Sequence, residues 1–127
     1  MKARLTAAFA ALAMAGAAAA PALAHHSFAM FDFQASKTVT GTVEQFDWTN
    51  PHTFIWLQVP TGTAGATERY GFEGMSPNYL GRRGWSKTTL NPGDKITVTI
   101  HPLKDGAKGG TYLKVTLANG KEMLNFN

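Results

Sequence analysis

Apolar and polar residues alternate in several short segments after residue 37, and this period of two predicts β-strands. The first segment is rich in β-branched residues around Gly41, where the glycine predicts a bulge or a sharp bend. Asn119-Gly120 is a strong signal for a hairpin turn. The predicted strands cover residues 38–48, 53–59, 69–73, 95–101 and 111–117, with a last short strand through Met123 and Leu124.

One helix is predicted between the third and fourth strands, over residues 76–84. Ser76 is a favourable N-cap, Pro77 suits the first helical position, and Gly84 is a typical terminator. Three strands, one short helix and then two or three strands is the element order of a five-stranded OB-type barrel. A small sandwich of the same strands is the alternative, because periodicity does not reveal strand pairing.

The first 24 residues have the three parts of a bacterial export signal. Lys2 and Arg4 precede an apolar run over residues 5–20, and Ala22-Leu23-Ala24 is a cleavage-type sequence. The run is mostly alanine and short for a membrane span, so cleavage is favoured over a retained anchor. We therefore expect a soluble periplasmic or secreted protein, not inserted in a membrane after processing, whose mature chain starts at His25.

Removal of residues 1–24 from the 127-residue chain leaves 103 residues, enough for one domain. We divide them into an N-terminal arm, residues 25–37, which packs through its aromatic side chains, and an OB-like β-barrel, residues 38–127. Twelve basic and eight acidic residues become ten and eight without Lys2 and Arg4. A balance of +2 gives no indication of nucleic-acid binding. The chain has no cysteine, which excludes disulfides and thiolate metal sites.

Several short motifs resemble those of a known protein family. They are His25-His26-Ser27-Phe28, Trp48-Thr49-Asn50-Pro51-His52, Phe72-Glu73, Ser76-Pro77-Asn78, and Leu80 followed by Arg82-Arg83-Gly84-Trp85. Their order over nearly all of residues 25–127 resembles a bacterial family of small exported proteins classed as a domain of unknown function. This resemblance implies no particular activity, so the functional prediction depends on the side chains.

The histidines predict a metal site. A terminal His25 could chelate one ion with both its α-amine and its imidazole, and His26 and His52 add further nitrogen ligands. Copper suits such a set best, with zinc as the alternative and Met30 or Met75 as thioether ligands. Neighbouring side chains in an extended chain diverge, so His25 with His52 is the preferred pair and His26 an alternative or supporting ligand.

In the alternative interpretation the histidines bind no metal. His25 and His26 then belong to a frayed terminus, and His52 caps a turn through a hydrogen bond. His101 is predicted to be a surface residue on an outward strand face.

Aromatic and basic residues predict a different binding surface. Barrels of this type commonly bind ligands across the second and third strands, where a sugar, an anionic molecule or a protein partner could lie. The opposing interpretation places the tryptophans in the core and leaves the arginines solvated at a helix end. The residues of this surface are Phe54, Trp56, Tyr79, Arg82, Arg83 and Trp85.

No catalytic motif is recognisable. The carboxylates are scattered, no Ser-His-Asp order is visible, and residues 106–110 lack the Lys-Ser ending of a phosphate loop. Glu73 is expected to form an ion pair with Arg82 or Arg83. We therefore predict a non-catalytic protein that binds and handles metal, and a copper-dependent oxidoreductase using the N-terminal histidine is the enzyme alternative.

Overall fold

A computed structural model describes residues 26–126 of the chain. The helices are α1 (His26–Ala29) and α2 (Pro77–Gly81). The strands are β1 (Lys37–Asp47), β2 (Phe54–Pro60), β3 (Thr67–Glu73), β4 (Lys95–Pro102), β5 (Gly109–Thr116) and β6 (Glu122–Leu124). No helix in this range is long and apolar enough to cross a membrane.

The strands form one sheet that closes on itself. Neighbours follow the order β3-β2-β1-β4-β5-β6, and β3 also pairs in parallel with β5. This last pairing closes β1 to β5 into a barrel, with α2 between β3 and β4 and β6 added at the edge of β5. The prediction of an OB-like five-stranded barrel is confirmed, and the parallel pairing excludes the sandwich alternative.

Two consecutive glycines allow the barrel to close. A Cβ atom at Gly109 would lie 2.4 Å from the carbonyl oxygen of Gly71 on β3, and one at Gly110 would lie 2.2 Å from that of His101 on β4. Only a residue without a side chain fits between these two strands. Strand β5 begins at Gly109, earlier than predicted. Glycine has a low strand propensity, so the sequence pattern gave no indication of a strand at these two residues.

The interior is filled by the inward side chains of all the strands together with residues from α2 and the loop that follows it. Phe72, Leu80 and Tyr112 are completely buried, and Trp85 is 3% exposed. Other members of this core are Val43, Ile55, Leu57, Leu90, Ile96, Val98, Ile100, Val115 and Met123. The alternation in β4, where every second residue from Ile96 is buried, matches the predicted inward face.

Two local features differ from the prediction. The bulge in β1 lies between Val43 and Gln45, not at Gly41, where the absence of a side chain instead lets the Gln58 carbonyl oxygen come close. Helix α2 ends at Gly81, so the two arginines follow the helix and Arg82 is its C-cap. Ser76 is the N-cap, as predicted, and its hydroxyl accepts a hydrogen bond from the Tyr79 amide at 3.3 Å.

The chain preceding β1 contacts the end of β4. Phe31 is buried and forms an isolated bridge with Leu103, and the Asp32 amide donates to the Pro102 carbonyl. His101 lies on the outward side of β4, where Phe33 packs against its ring and its Nδ1 donates to the Ala35 carbonyl at 2.7 Å. His101 therefore has a structural role in holding this segment. Helix α1 is not part of the compact unit that begins at Phe31, and it was not predicted from the sequence.

Candidate functional site

Alternate residues of β2 lie on the outside of the barrel beside outward residues of β3. In antiparallel register, Phe54 is opposite Glu73 and Trp56 is opposite Gly71. The half-buried His52 side chain extends this row beyond the start of β2. We call His52, Phe54, Trp56, Arg69 and Glu73 the β2–β3 outer face, the region where OB-type barrels commonly bind ligands.

The His52 ring is held by its Nδ1 atom. This nitrogen lies 3.0 Å from the Gly74 carbonyl oxygen and 3.4 Å from Oε1 of Glu73. A carbonyl oxygen only accepts, so Nδ1 carries the hydrogen and donates it, which leaves Nε2 as the lone-pair nitrogen of the neutral ring. The side chain is 33% exposed. Within residues 26–126 the other nitrogen has no hydrogen-bond partner. Metal-binding histidines commonly have this arrangement, and structural histidines such as His101 share it.

A buried network of polar groups positions the carbonyl that accepts from His52. After β3, Gly74 and Met75 run beside Thr53. The Thr53 amide donates to the Met75 carbonyl, and the Thr53 carbonyl accepts from the Gly74 amide. The Thr53 hydroxyl lies 2.9 Å from the Met75 carbonyl and 2.7 Å from the Tyr112 hydroxyl. Asn125 accepts from the Met75 amide and donates to the Tyr112 carbonyl. These bonds fix the backbone from which His52 takes its orientation.

Replacement of Tyr112 by phenylalanine tests this network through its pH dependence. Burial raises the pKa of Tyr112 well above its ordinary value, while the bond to Thr53 opposes the shift. The folded state therefore stays protonated above pH 10, where the unfolded state ionises, and this tyrosine's contribution to stability is lost as pH rises. At pH 8 we expect Tyr112→Phe to cost about 1 kcal/mol through the lost hydrogen bond.

By pH 11 the difference in unfolding free energy between the wild type and Tyr112→Phe should vanish or reverse. Ionisation of Tyr112 in the unfolded state lowers wild-type stability by about 1.4 kcal/mol at that pH. Urea unfolding of both proteins at the two pH values gives the comparison, and the other titrating groups cancel in the difference. A stability difference that stays constant between pH 8 and pH 11 would contradict the assigned burial of this hydroxyl.

The aromatic part of the β2–β3 outer face is already occupied by neighbouring side chains. Phe54 stacks on Trp56 at a centroid distance of 5.7 Å, and the Arg69 guanidinium lies 3.9 Å from the Trp56 ring centroid. The indole nitrogen donates to Asp47 at 2.8 Å, and Arg69 forms an ion pair with Glu44 at 2.9 Å. The indole nitrogen of Trp56 and Nε of Arg69 therefore each have a partner within the fold.

Glu44 completes this arrangement. The hydrogen bond from Gln58, and after it the hydrogen bond and charge of Arg69, hold the Glu44 pKa below its ordinary value, against an opposing effect of burial. The carboxylate thus stays ionised and continues to anchor the guanidinium above Trp56. We interpret Trp56 as a structural element of this face.

The other residues of the predicted aromatic and basic surface lie elsewhere. Trp85 is in the core against Phe46 and Tyr112, and its indole nitrogen donates to the Leu124 carbonyl at 2.8 Å. Arg83 covers the Tyr79 ring at 3.8 Å, and Arg82 is exposed at the end of α2. The contacts of the structure bring Phe54 and Trp56 together but do not join them to these residues.

The predicted metal ligands are only partly within the described range. His25 lies outside the described residues, and His26 is described only as the first residue of α1. Met30 is 46% exposed, whereas Met75 packs against the core. No group of three histidine, aspartate or glutamate side chains suited to a metal ion occurs among the described residues. His52 is therefore the one predicted imidazole ligand whose surroundings the structure shows.

Glu73 is the site residue that sequence analysis missed. Its expected ion pair with Arg82 or Arg83 is wrong, because its carboxylate approaches His52 instead. The alternation of β3 does place Glu73 on the outer face, but its partner is 21 residues away and is brought there only by the β2–β3 register. Since Glu73 lies on the Nδ1 side of the ring, it orients the imidazole and does not reach an ion at Nε2.

Comparison with known proteins places the chain in a family. The profile described as "Family of unknown function (DUF6152)" matches residues 12–114. The chain belongs to this family. The predicted resemblance to a family of unknown function is thereby confirmed, and positions 25, 52 and 73 all fall within the matched region, whereas β6 lies beyond it. Neither the curated proteins nor the solved structures include a significant match.

Proposed function

We propose that this DUF6152 protein is a non-catalytic metal-binding protein of the bacterial periplasm, with copper as the preferred ion and His52 as a ligand. The observation that carries the proposal is the orientation of His52: Nδ1 donates to Gly74 beside Glu73, and Nε2 remains available. Backbone carbonyls and carboxylates commonly hold metal-binding histidines through the other ring nitrogen. Neutral imidazole suits both copper and zinc, with Cu(II) bound more tightly at nitrogen sites.

The remaining ligands are assigned to the processed N-terminus. There the α-amine and imidazole of His25 would act together, with His26 as the alternative. An N-terminal site of this kind exists only after cleavage behind Ala24, so export and metal binding are coupled in the proposal. Export itself is tested by fractionation of cells that produce the full chain.

Two versions of the mature protein test the role of the terminus. One begins at His25, and the other retains a methionine before it, which leaves every imidazole in place but moves the α-amine. We expect the extended version to bind Cu(II) at least about tenfold more weakly, or 1.4 kcal/mol, in calorimetry. Paramagnetic resonance should also show a different set of nitrogen ligands.

Equal affinity and equal spectra for the two versions would remove the terminal amine from the site. If neither version binds copper or zinc more tightly than about micromolar, close to −8 kcal/mol, the metal function is wrong and a ligand-binding barrel replaces it. Oxygen consumption in the presence of a reductant should remain at the level of the buffer containing copper alone. Turnover above that level would favour the oxidoreductase alternative.

A further inference from the structure

A partly open cavity of about 320 Å³ lies at one end of the barrel, separate from the β2–β3 outer face. It lies where β1 begins, β4 ends and β5 begins, and its apolar wall includes Val39, Tyr70 and Ile100. Tyr70 faces the interior beside Phe72, whereas Glu73 faces outwards from the same strand. The cavity and His52 therefore lie on opposite sides of β3.

The rim of this cavity carries an unbalanced positive charge. Lys37 lines it and lies on the same face of β1 as Val39, because alternate residues of a strand share a face. Lys108, the second lysine at the rim, forms an ion pair with Glu68 at 2.6 Å. Within residues 26–126, Lys37 has no ion-pair partner. One ammonium group beside the side chains of Val39 and Tyr70 matches a small ligand with one negative charge and a compact apolar part.

We propose that this cavity binds a small monocarboxylate, with its apolar part against Val39, Tyr70 and Ile100 and its carboxylate at Lys37. Ligand sites are commonly found in the mouths of β-barrels, and 320 Å³ lies near the lower end of their usual volume. A cavity at this lower end suits a small ligand of roughly ten heavy atoms. Phenylacetate and octanoate both have this size, and the aromatic one can also pack against the Tyr70 ring.

The neutral analogue phenylacetamide, with the same number of heavy atoms, provides the control for charge. Isotope-labelled mature protein is titrated with phenylacetate, octanoate or phenylacetamide while amide shifts are recorded by NMR. We expect both carboxylates to shift the amides of Val39, Tyr70 and residues 106–109 with millimolar dissociation constants. Phenylacetamide should bind at least about fivefold more weakly, as expected for loss of one charged contact at a partly exposed site.

Substitutions then locate the contact. Lys37→Gln should weaken phenylacetate binding about fivefold and abolish the preference over phenylacetamide, whereas Lys121→Gln, at an exposed lysine outside this cavity, should change neither. Val39→Phe fills the cavity and should abolish binding, provided its melting temperature shows that it folds. Equal affinities for phenylacetate and phenylacetamide, an unchanged Lys37→Gln variant, or no shifts at these amides would each overturn the proposal.

Discussion

Replacement of Gly74 by alanine should destabilise the barrel by about 3 kcal/mol, at the upper end of the usual cost of overpacking a core. The new Cβ would lie 2.1 Å from the Tyr112 hydroxyl oxygen and 2.2 Å from the ring carbon that carries it. Tyr112 is completely buried, so the ring has little space to move away. Its displacement would also break the bond to Thr53 and shift the carbonyl that holds His52.

A domain of this size is expected to lose roughly 4–8 °C of melting temperature for each kcal/mol, so the variant should melt about 12–24 °C below the wild type. Gly81→Ala is the matched control, because a Cβ there meets no atom within 4 Å. Gly81 is also exposed and ends α2, so its replacement should change stability by less than about 0.5 kcal/mol. Equal melting temperatures for the two variants would show that the Gly74–Tyr112 contact is not tight.

Replacement of His52 by alanine should lower copper affinity at least about a hundredfold, or 2.8 kcal/mol, because it removes the Nε2 ligand. His101→Ala is a stringent control, since that ring is also held through Nδ1 by a backbone carbonyl and is also half-buried. Its copper affinity should fall much less than that of His52→Ala, because His101 holds the segment before β1 but supplies no ligand. Calorimetry with the processed protein measures both, after circular dichroism has confirmed that each variant is folded.

Glu73→Gln tests the role of Glu73 in orienting the His52 ring and leaves the proposed ligand nitrogen of His52 in place. The amide keeps the size of the carboxylate but removes its charge beside Nδ1, and the loss of such a supporting partner typically lowers metal affinity 10–100-fold. We expect a decrease of about tenfold, smaller than that for His52→Ala. If His52→Ala binds copper as tightly as the wild type, the ion is held by the terminal residues alone and His52 is a turn residue.

The fold was largely accessible from the sequence because each strand carries its own local signal. Alternation identified five barrel strands within a few residues, and Ser76-Pro77 marked the start of α2. The closure of the barrel was not accessible. Gly109 and Gly110 have low strand propensity, yet their missing side chains are what permit β5 to pair with β3 and β4. Close approach of two backbones is a tertiary requirement without a local pattern.

The candidate site was less accessible, because its geometry depends on long-range register. His52 was identified by residue type, but its tautomer follows from Gly74 and Glu73, which β3 brings beside it. Trp56 and Trp85 illustrate the same limit, since both are large aromatic residues near predicted strands. The first lies outside under Arg69 and the second is buried against Tyr112. Composition does not distinguish these two positions, whereas strand pairing does.

The ring nitrogens of His52 report most directly on the proposed function. In isotope-labelled protein that begins at His25, the imidazole nitrogen resonances are followed by NMR during titration with Cu(I), which is diamagnetic. We predict that the His52 Nε2 resonance shifts in proportion to bound copper, while Nδ1 keeps its hydrogen and its bond to Gly74. Unchanged His52 nitrogen resonances at saturating copper would contradict it.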